Sequence, residues 1–437
     1  MNMHRTEPRE KPIHDRFFVR IPRKAVHALL LSAVCLPTPW VNAVETPQQS
    51  SLTLQQAVQR TLEQHPQLSV YLHQRDAFQG AIEQSSVGQR PTIGLMVEEF
   101  AGSGDYGSFD SAQSTLSINW VMQGSRVESR TATARVAASQ VELQQQIAAL
   151  DLSAQTARLF VQALVEEQRL RLAAQATAQA RKAVTASNKR VEAGKSPDFE
   201  QLQAEVELAQ RELEAEDLQH GLTSAYYQLS AQWGERGKRY RLAGDLLNMP
   251  VIDDIDRQFE RLQQNPNLAL LATQQRITAS EMELARIEAK PQWQFSLGVR
   301  RFEATDDVAM VAGVSVPLGS DRSSAGKMRR LQARQAQYAS ESDAVQRQLE
   351  IQLYVLLQEI KHSQHVIETL QERIIPALDK AERQATRAYE SGRLGYPQWS
   401  DILHQKIGAQ QDLLSAYEAI HLQHIELQRL TGTSLTL

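Results

Sequence analysis

The chain has 437 residues, of which 6% are aromatic and 22% are charged, and its mean hydropathy is −0.42. Its 47 Lys and Arg residues against 51 Asp and Glu residues leave a net charge of −4, which gives no indication of nucleic acid as a partner. Few aromatic residues and long stretches rich in Ala and Gln are typical of long helices with narrow apolar stripes rather than of thick globular cores.

Residues 1–43 are predicted to be a secretory signal peptide. Seven Lys and Arg residues precede the apolar run Ala25–Leu36, which is too short to cross a bilayer as a helix, and a small-residue cleavage pattern ends at Ala43. The only cysteine, Cys35, lies in this segment, and its flanking residues do not fit a lipidation box. Cleavage leaves 40 Lys and Arg against 48 Asp and Glu, a net charge of −8, and no thiol. Disulfides and cysteine metal sites are therefore excluded.

The sequence indicates one structural unit that occurs twice, 200 residues apart. Leu62–Leu68 reads LEQHPQL and Leu262–Leu268 reads LQQNPNL, with a proline at the same place in each. Pro91 and Pro291 have the same separation, and each lies between a helical pattern and an alternating one.

Alternation with a period of two predicts four strands, over residues of about 92–100, 113–122, 292–302 and 308–318. Loops rich in Gly and Asp connect these strands in pairs, which predicts two β-hairpins. Each hairpin has one apolar face and one polar face. This pattern is typical of strands in outer-membrane barrels.

An unusually long helix is predicted after each hairpin. Residues 125–193 contain neither Gly nor Pro, and their apolar residues step by four and three, as in a coiled coil. Leu349–Ile374 repeats this pattern, but Pro376 should kink or break the second helix. Turns with Gly and Pro, within Val191–Leu202 and Tyr389–Leu403, then reverse the chain into a return helix.

The order of helix, hairpin, long helix, tip and return helix is thus predicted for residues 44–234 and again for 255–437, with 235–254 as a linker. Four strands cannot close a barrel, and an open sheet edge has no hydrogen-bond partners in lipid. Two copies would give eight strands, whose interior fills with side chains, whereas three copies give twelve and leave a lumen. The physical inference is a trimer, with a cylinder of paired helices on the same axis.

With these features the chain resembles the outer-membrane efflux channels of the TolC family over essentially the whole mature sequence. The resemblance implies a mainly α-helical fold with a membrane β-barrel portion, a homotrimer with a twelve-stranded barrel, and a periplasmic α-helical tunnel. Val97–Gly104 (VEEFAGSG) is similar to the CzcC-like heavy-metal branch of that family. Trp120–Arg126 (WVMQGSR) keeps one glycine and the arginine of another motif of the branch but lacks its Gln-Pro and its second glycine. The tip GKSPDFEQLQAE and the end IELQRLTG are also similar.

The resemblance implies a channel in the outer membrane that passively conducts heavy-metal cations from an inner-membrane proton-driven pump and a periplasmic adaptor to the outside. A channel for drugs or other small molecules is the alternative, and a secreted coiled-coil scaffold without a pore is the alternative from another class. No Ser-His-Asp, paired-acid or nucleotide-binding arrangement is present in the sequence, so neither an enzyme nor a cofactor is predicted. The GKS of Gly194–Ser196 lacks the earlier glycine of a phosphate-binding loop.

The candidate site residues lie at the two tips. In a trimer Asp198 and Asp401 would each form a ring of three carboxylates, which favours cations, and the family closes its periplasmic end with aspartates near Asp401. Surface or capping roles are the alternative. His404 follows the second tip, and the sequence leaves open whether it faces the pore. The predicted adaptor-docking residues belong to the turns themselves: Gly194, Lys195, Ser196, Gly392, Arg393 and Gly395.

Other polar residues receive structural interpretations. Ser196 is expected to cap the return helix, with Pro197 in its first turn. Two histidine pairs spaced i,i+3 could each offer two ligands to a metal, but no carboxylate completes either set. Solvated helix faces are therefore predicted for His362 with His365 and for His421 with His424, and no metal site is predicted.

Overall fold

The computed structural model describes residues 51–317 and 322–433 of the chain. The predicted signal peptide, residues 1–43, and Leu318 at the end of the fourth predicted strand lie outside the described residues. The helices are α1 (Leu54–Gln64), α2 (Pro66–Ser86), α3 (Gly124–Glu192), α4 (Asp198–Ala231), α5 (Ile255–Leu262), α6 (Pro266–Glu288), α7 (Arg322–Thr369), α8 (Ile375–Glu390) and α9 (Tyr396–Thr431). The strands are β1 (Ser51–Thr53), β2 (Thr92–Glu98), β3 (Gln113–Val121), β4 (Arg241–Ala243), β5 (Gln294–Phe302) and β6 (Asp307–Ser315).

The repeated proline motif marks the same helix start in both halves. His65 accepts a hydrogen bond from the backbone N–H of Gln67, and Pro66 begins α2. Asn265 accepts the equivalent bond from Asn267, and α6 begins at Pro266. A side-chain acceptor followed by proline suits a helix start because the first turn has unpaired N–H groups and proline lacks one.

The two hairpins form a single antiparallel sheet in the order β2-β3-β5-β6. The pairing of β3 with β5 joins the two repeats. Within the part of the chain that the structure describes, β2 and β6 are the edges of this sheet. All four predicted strands are therefore confirmed, whereas the order of the hairpins comes from the tertiary structure.

The sheet has one apolar and one polar face, as the alternation predicts. Leu95, Leu116, Val299 and Met310 are neighbours across the four strands and are 70%, 56%, 48% and 75% exposed. The polar face is the more enclosed one, and its Thr115 is only 4% exposed. The apolar side chains thus lie on the more exposed face, which is the arrangement expected of a barrel wall with lipid outside.

Aromatic rings gather at the helical end of the apolar face. Trp120 and Phe295 are paired across β3 and β5 with ring centroids 5.7 Å apart, and Trp293 stacks on Phe295 at 6.5 Å. Rings at this level are typical of the girdle where a barrel meets the lipid–water interface. Among the described residues no helix is both long and apolar enough to cross a membrane.

The long helices and their seams are as predicted. The 69 residues of α3 form one uninterrupted helix, which packs on α4 and on α9. The seam of α7 is buried from Leu349 to Leu370, whereas Ile374 is 40% exposed. Immediately before Pro376 the helix makes a π-helical turn, Leu370–Ile374. Proline lacks an N–H and its ring clashes with the carbonyl four residues earlier, so the wider turn accommodates it without ending the helix.

A small parallel pair, β1 with β4, lies beside the core of the first repeat, and the sequence does not predict it. Strand β4 belongs to the segment 235–254, which the sequence predicts to be a linker. Leu52 of β1 and Leu246 after β4 are 0% and 2% exposed, and they belong to the same apolar cluster as Phe160 of α3 and Ile425 of α9. The linker segment therefore contributes to the core that holds the two long helical pairs together.

Candidate functional site: the paired helix tips

The first tip is a helix end of the Schellman type. The N–H of Gly194 donates to the carbonyl of Val191 (2.9 Å), and the N–H of Lys195 donates to that of Arg190 (2.8 Å). Gly194 has a φ of +65°, a left-handed backbone conformation that favours glycine. A Cβ atom at this position would meet no other atom within 4 Å, so the backbone conformation rather than lack of space explains why glycine occurs here.

The second tip repeats this motif. The N–H of Gly392 donates to the carbonyl of Tyr389 (3.0 Å), and the N–H of Arg393 donates to the carbonyl of Ala388 (2.9 Å). Gly392 has a φ of +76°. Gly395 has a φ of −81° and occupies the N-cap position of α9, so its conformation does not require glycine. The local sequence therefore determines both reversals.

The prediction that Ser196 caps the return helix is wrong. Helix α4 begins at Asp198, and its N-cap position is held by Pro197, which has no side-chain acceptor. The Ser196 hydroxyl is enclosed and has no hydrogen-bond partner among the described residues. The extended conformation that proline imposes on the residue before it moves the helix start forward by one residue.

Arg190 joins the two tips, a role that the sequence analysis missed. Its Nη1 donates to the carbonyls of Tyr389 (2.5 Å) and Leu394 (3.2 Å), and its Nη2 donates to the carbonyl of Lys195 (3.4 Å). Its guanidinium also lies 4.3 Å from the centroid of the Tyr389 ring. One side chain of the first repeat thus fixes backbone carbonyls of both turns, and it holds the two tips at the same level.

An aromatic cluster fills the space behind the second tip. Tyr389, Tyr396 and Trp399 are 0%, 4% and 6% exposed, and the ring centroids of Tyr389 and Trp399 are 4.3 Å apart. The Trp399 indole donates to the Thr386 hydroxyl at 3.1 Å. Burial raises the pKa of Tyr389 and of Tyr396 above the usual value. The sequence YESGRLGYPQW contains these three rings, but their spacing alone did not reveal the cluster.

The predicted gate aspartates both lie on exposed helix surface near the tips. Asp198 is the first residue of α4. Asp401 lies in the second turn of α9 and accepts a hydrogen bond from Gln405 at 2.8 Å. Both carboxylates are therefore available to a neighbouring molecule or to the axis of an assembly.

His404 lies between two helices of the same chain. Its Nε2 is 2.6 Å from a carboxylate oxygen of Glu207 on α4, and Glu207 also pairs with Arg211 at 2.7 Å. Burial acts to raise the pKa of Glu207, but the hydrogen bonds from His404 and Arg211 outweigh it, so this pKa lies below the usual value. His404 therefore links α9 to α4 just above the tips.

The two histidine pairs differ. His362 and His365 are exposed on α7, as predicted. The prediction for the other pair is wrong, because His421 and His424 are 1% and 9% exposed. The ring of His421 donates from Nε2 to the carbonyl of Leu246 at 2.9 Å, and burial lowers the pKa of both histidines. In the described ranges no group of three or more His, Cys, Asp or Glu residues could hold a metal ion.

Comparisons with known proteins agree with this geometry. Residues 57–235 match the family model "Outer membrane efflux protein". The chain is 26% identical to the cobalt-zinc-cadmium resistance protein CzcC of Cupriavidus metallidurans over 351 residues, 79% of this chain and 81% of that protein.

Solved structures share the fold. A crystal structure of CusC has a TM-score of 0.71 at 14% identity, with 87% of this chain and 92% of that chain covered. The outer membrane protein VceC of Vibrio cholerae has a TM-score of 0.69 at 16% identity, with 88% and 97% covered. The matched family region ends with the first repeat, and the second repeat has the same order of elements. The chain therefore contains an outer membrane efflux protein domain over residues 57–235, and it shares the fold of CusC and VceC.

Proposed function

We propose that three copies of this outer-membrane efflux channel close into a duct that passively conducts heavy-metal cations to the outside. The two-faced sheet is the observation that carries the proposal. Its apolar side chains lie on the more exposed face, and its edge strands β2 and β6 pair with no further strand in the described ranges. Pairing β6 of one copy with β2 of the next satisfies both edges, and three copies give twelve strands around a lumen.

The packing of the helices also supports the association of three copies into a closed ring. Within the chain the first long helix, α3, packs on α9, the return helix of the other repeat. Ion pairs connect them, with Arg169 bound to Glu418 at 2.7 Å and Arg158 to Glu426 at 3.3 Å. Because the two repeats are equivalent, α8 of one copy would pack on α4 of the next in the same way.

The surfaces that such a contact would join have suitable chemistry. The outer face of α4 exposes an apolar stripe, in which Phe199, Leu202 and Val206 are 55%, 59% and 57% exposed. Exposed Arg383 and Arg387 on α8 lie at the level of this stripe, since both tips are held together. A neighbouring copy would cover apolar surface that monomeric soluble proteins seldom expose.

The substrate proposal draws on the relative whose name includes cobalt, zinc and cadmium resistance. We infer that a pump in the inner membrane and a periplasmic adaptor deliver cations to the tip end of this chain. The metal is cargo, so the duct needs no resident metal site. Lipid of the outer membrane would surround the convex face of the barrel.

We propose that the tips close the resting duct and receive the adaptor. Asp198 and Asp401 are the gate candidates because threefold repetition would turn each exposed carboxylate into a ring that favours cations. His404, bonded to Glu207, would set the distance between the helices that carry these aspartates. The docking candidates are exposed or half-exposed residues of the two turns: Gly194, Lys195, Ser196, Gly392, Arg393 and Gly395.

Two experiments test this function. Purified protein in planar bilayers should give conductance steps, and a monomeric protein that never conducts would contradict the channel. Deletion of the gene should lower tolerance to one or more heavy metals, and complementation should restore it. Unchanged metal tolerance together with raised drug susceptibility would indicate that the substrate is a drug or another small molecule rather than a metal cation.

A further inference from the structure

Arg300 on β5 is held by side chains from the other repeat. Its guanidinium donates to the Thr115 hydroxyl at 2.8 Å, to the Gln113 amide oxygen at 3.0 Å and to a carboxylate oxygen of Glu98 at 3.0 Å. These partners lie on β3 and β2, so one cation is bound across three neighbouring strands. Such an arrangement fixes the position of the charge in a way that a solvated surface arginine lacks.

The sheet places Arg300 on its polar, more enclosed face. Arg300 is the direct neighbour of Thr115, which is 4% exposed, whereas the next residue, Arg301, pairs with Ser114 on the opposite face. Arg301 instead forms ion pairs with Glu303 and Asp306 of the β5–β6 turn, at 3.1 Å and 2.7 Å. Two consecutive arginines therefore point to opposite sides of the sheet.

We propose that Arg300 and Glu98 form a charge-compensated pair on the lumen wall, in which the carboxylate keeps the arginine from repelling cations in the outer part of the pore. The proposal rests on the proposed function, because the polar face lines a lumen only when the sheet closes into a barrel. The pair lies near the turn end of the sheet, at the opposite end from the helical tips. Three copies would place three cations and three carboxylates around the pore at this level.

Compensation matters because the cargo is itself cationic. Three uncompensated guanidinium groups on the wall would repel metal ions from the outer part of the duct. Each Glu98 carboxylate lies 3.0 Å from a guanidinium and cancels most of its field at the pore axis. The side chains of Arg300 and Glu98 are 25% and 42% exposed, so both remain in contact with the aqueous side.

Removing one partner should therefore shift the ion preference in a direction that depends on the partner removed. Arg300→Gln leaves three carboxylates and should raise the permeability ratio of K⁺ to Cl⁻ about two-fold at 0.1 M salt, with a larger effect at lower salt. Glu98→Gln should lower the ratio by a similar factor. Arg300→Lys and the double variant Glu98→Gln with Arg300→Gln should both lie near the unmodified protein.

Reversal potentials in planar bilayers under a KCl gradient test these expectations. Arg301→Gln is the matched control, because it removes the same charge one residue away on the opposite, apolar face, and its ratio should stay unchanged. The mobility of the assembled protein on a gel without heating reports whether each variant assembles. If Arg300→Gln does not assemble, the proposal can still be tested with the other two variants. The permeability ratio should be lower in Glu98→Gln and unchanged in Arg300→Lys.

Three outcomes would overturn the proposal. A conducting Arg300→Gln with an unchanged ratio would show that the pair does not act on permeating ions. Equal shifts in Arg300→Gln and Arg301→Gln would show an effect of total charge rather than of a lumen pair. Absence of conductance in the unmodified protein would contradict the proposed function itself, and this inference would fall with it.

Discussion

The guanidinium of Arg190 lies 4.3 Å from the centroid of the Tyr389 ring, and the same group donates to the Tyr389 carbonyl, although the two residues are 199 positions apart. A cation stacked on a buried ring also satisfies carbonyls at the ends of two separate helices. This contact, rather than either turn alone, holds the two tips together. The first prediction follows from it.

Arg190→Gln should loosen both tips without changing the rest of the helices. Hydrogen bonds from a charged donor contribute about 1.5–3 kcal/mol and a cation–π contact about 0.5–2 kcal/mol, so local stability should fall by roughly 2–3 kcal/mol. Amide hydrogen exchange at 191–197 and 391–395 should accelerate by ten-fold or more, by the relation of about 1.4 kcal/mol per factor of ten. Lys189→Gln, an exposed neighbour, is the control. Unchanged amide hydrogen exchange in the Arg190→Gln variant would show that Arg190 does not hold the two tips together.

The proposed carboxylate ring at Asp401 predicts a change in cation block. Asp401→Ala should weaken block of the resting pore by divalent cations several-fold, because each such ring adds three negative charges where the helices converge. The measurement is bilayer conductance with increasing divalent cation on the periplasmic side. Asp412→Ala is a matched control on the same helix face three turns further from the tip, about 16 Å away. Identical block curves for the Asp401 variant and the unmodified protein would exclude Asp401 from the gate.

The buried His421 and His424 predict a loss of stability in acid. Burial lowers the pKa of both, and for His421 the Leu246 carbonyl and Asp245 oppose that effect without reversing it. Above pH 6.5 both rings are neutral in the folded and unfolded chain, so the full stability is present. As the pH falls below 6.5 the unfolded chain takes up protons that the folded chain does not. The free energy of unfolding should then fall by up to about 1.4 kcal/mol per pH unit for each ring.

Thermal unfolding in detergent between pH 7.5 and pH 5 measures this effect. His421→Gln should be less stable at pH 7.5 yet show a shallower decline with acid. His362→Gln, which changes an exposed histidine, should follow the pH dependence of the unmodified protein. Parallel curves for all three proteins would show that the buried pair is not responsible for the acid sensitivity.

The proposed contact of α4 with α8 of a neighbouring copy predicts a specific cross-link. Leu202 and Arg387 lie about 6 Å and 4.5 Å from the tip ends of their helices, so they should approach each other between copies. The chain with Leu202→Cys and Arg387→Cys should give disulfide-linked dimers and trimers on a denaturing gel under oxidation. The background is clean, because Cys35 is the only cysteine and lies in the predicted signal peptide.

The control moves one partner along the same helical edge. Arg373 lies 14 residues before Arg387, about 21 Å away along the helix, which is far beyond the reach of a disulfide. Leu202→Cys with Arg373→Cys should therefore remain monomeric on the gel. Equal cross-linking in both pairs would indicate random collision, and no cross-linking in either would contradict this arrangement of the helices.

The sequence by itself determined the repeated unit, because its signals are local. Period-two alternation predicts each strand wherever the strand lies, and the proline after His65 or Asn265 begins a helix through hydrogen bonds to residues two positions away. Gly194 and Gly392 mark the tips because a left-handed backbone conformation favours glycine in any context. Pro376 predicts a disturbed helix for an equally local reason.

Only the tertiary structure decided what each polar side chain faces. His421 and His424 have the same spacing as His362 and His365. The chain that follows β4 buries His421 and His424, whereas His362 and His365 remain exposed. Arg190 and Arg300 each bind groups from the other repeat, and no local pattern encodes a contact across about 200 residues. The pairing of β3 with β5 and of β1 with β4 likewise joins segments distant in sequence. Such contacts depend on how the helices pack, and packing is a sum over the whole chain rather than a property of any short stretch.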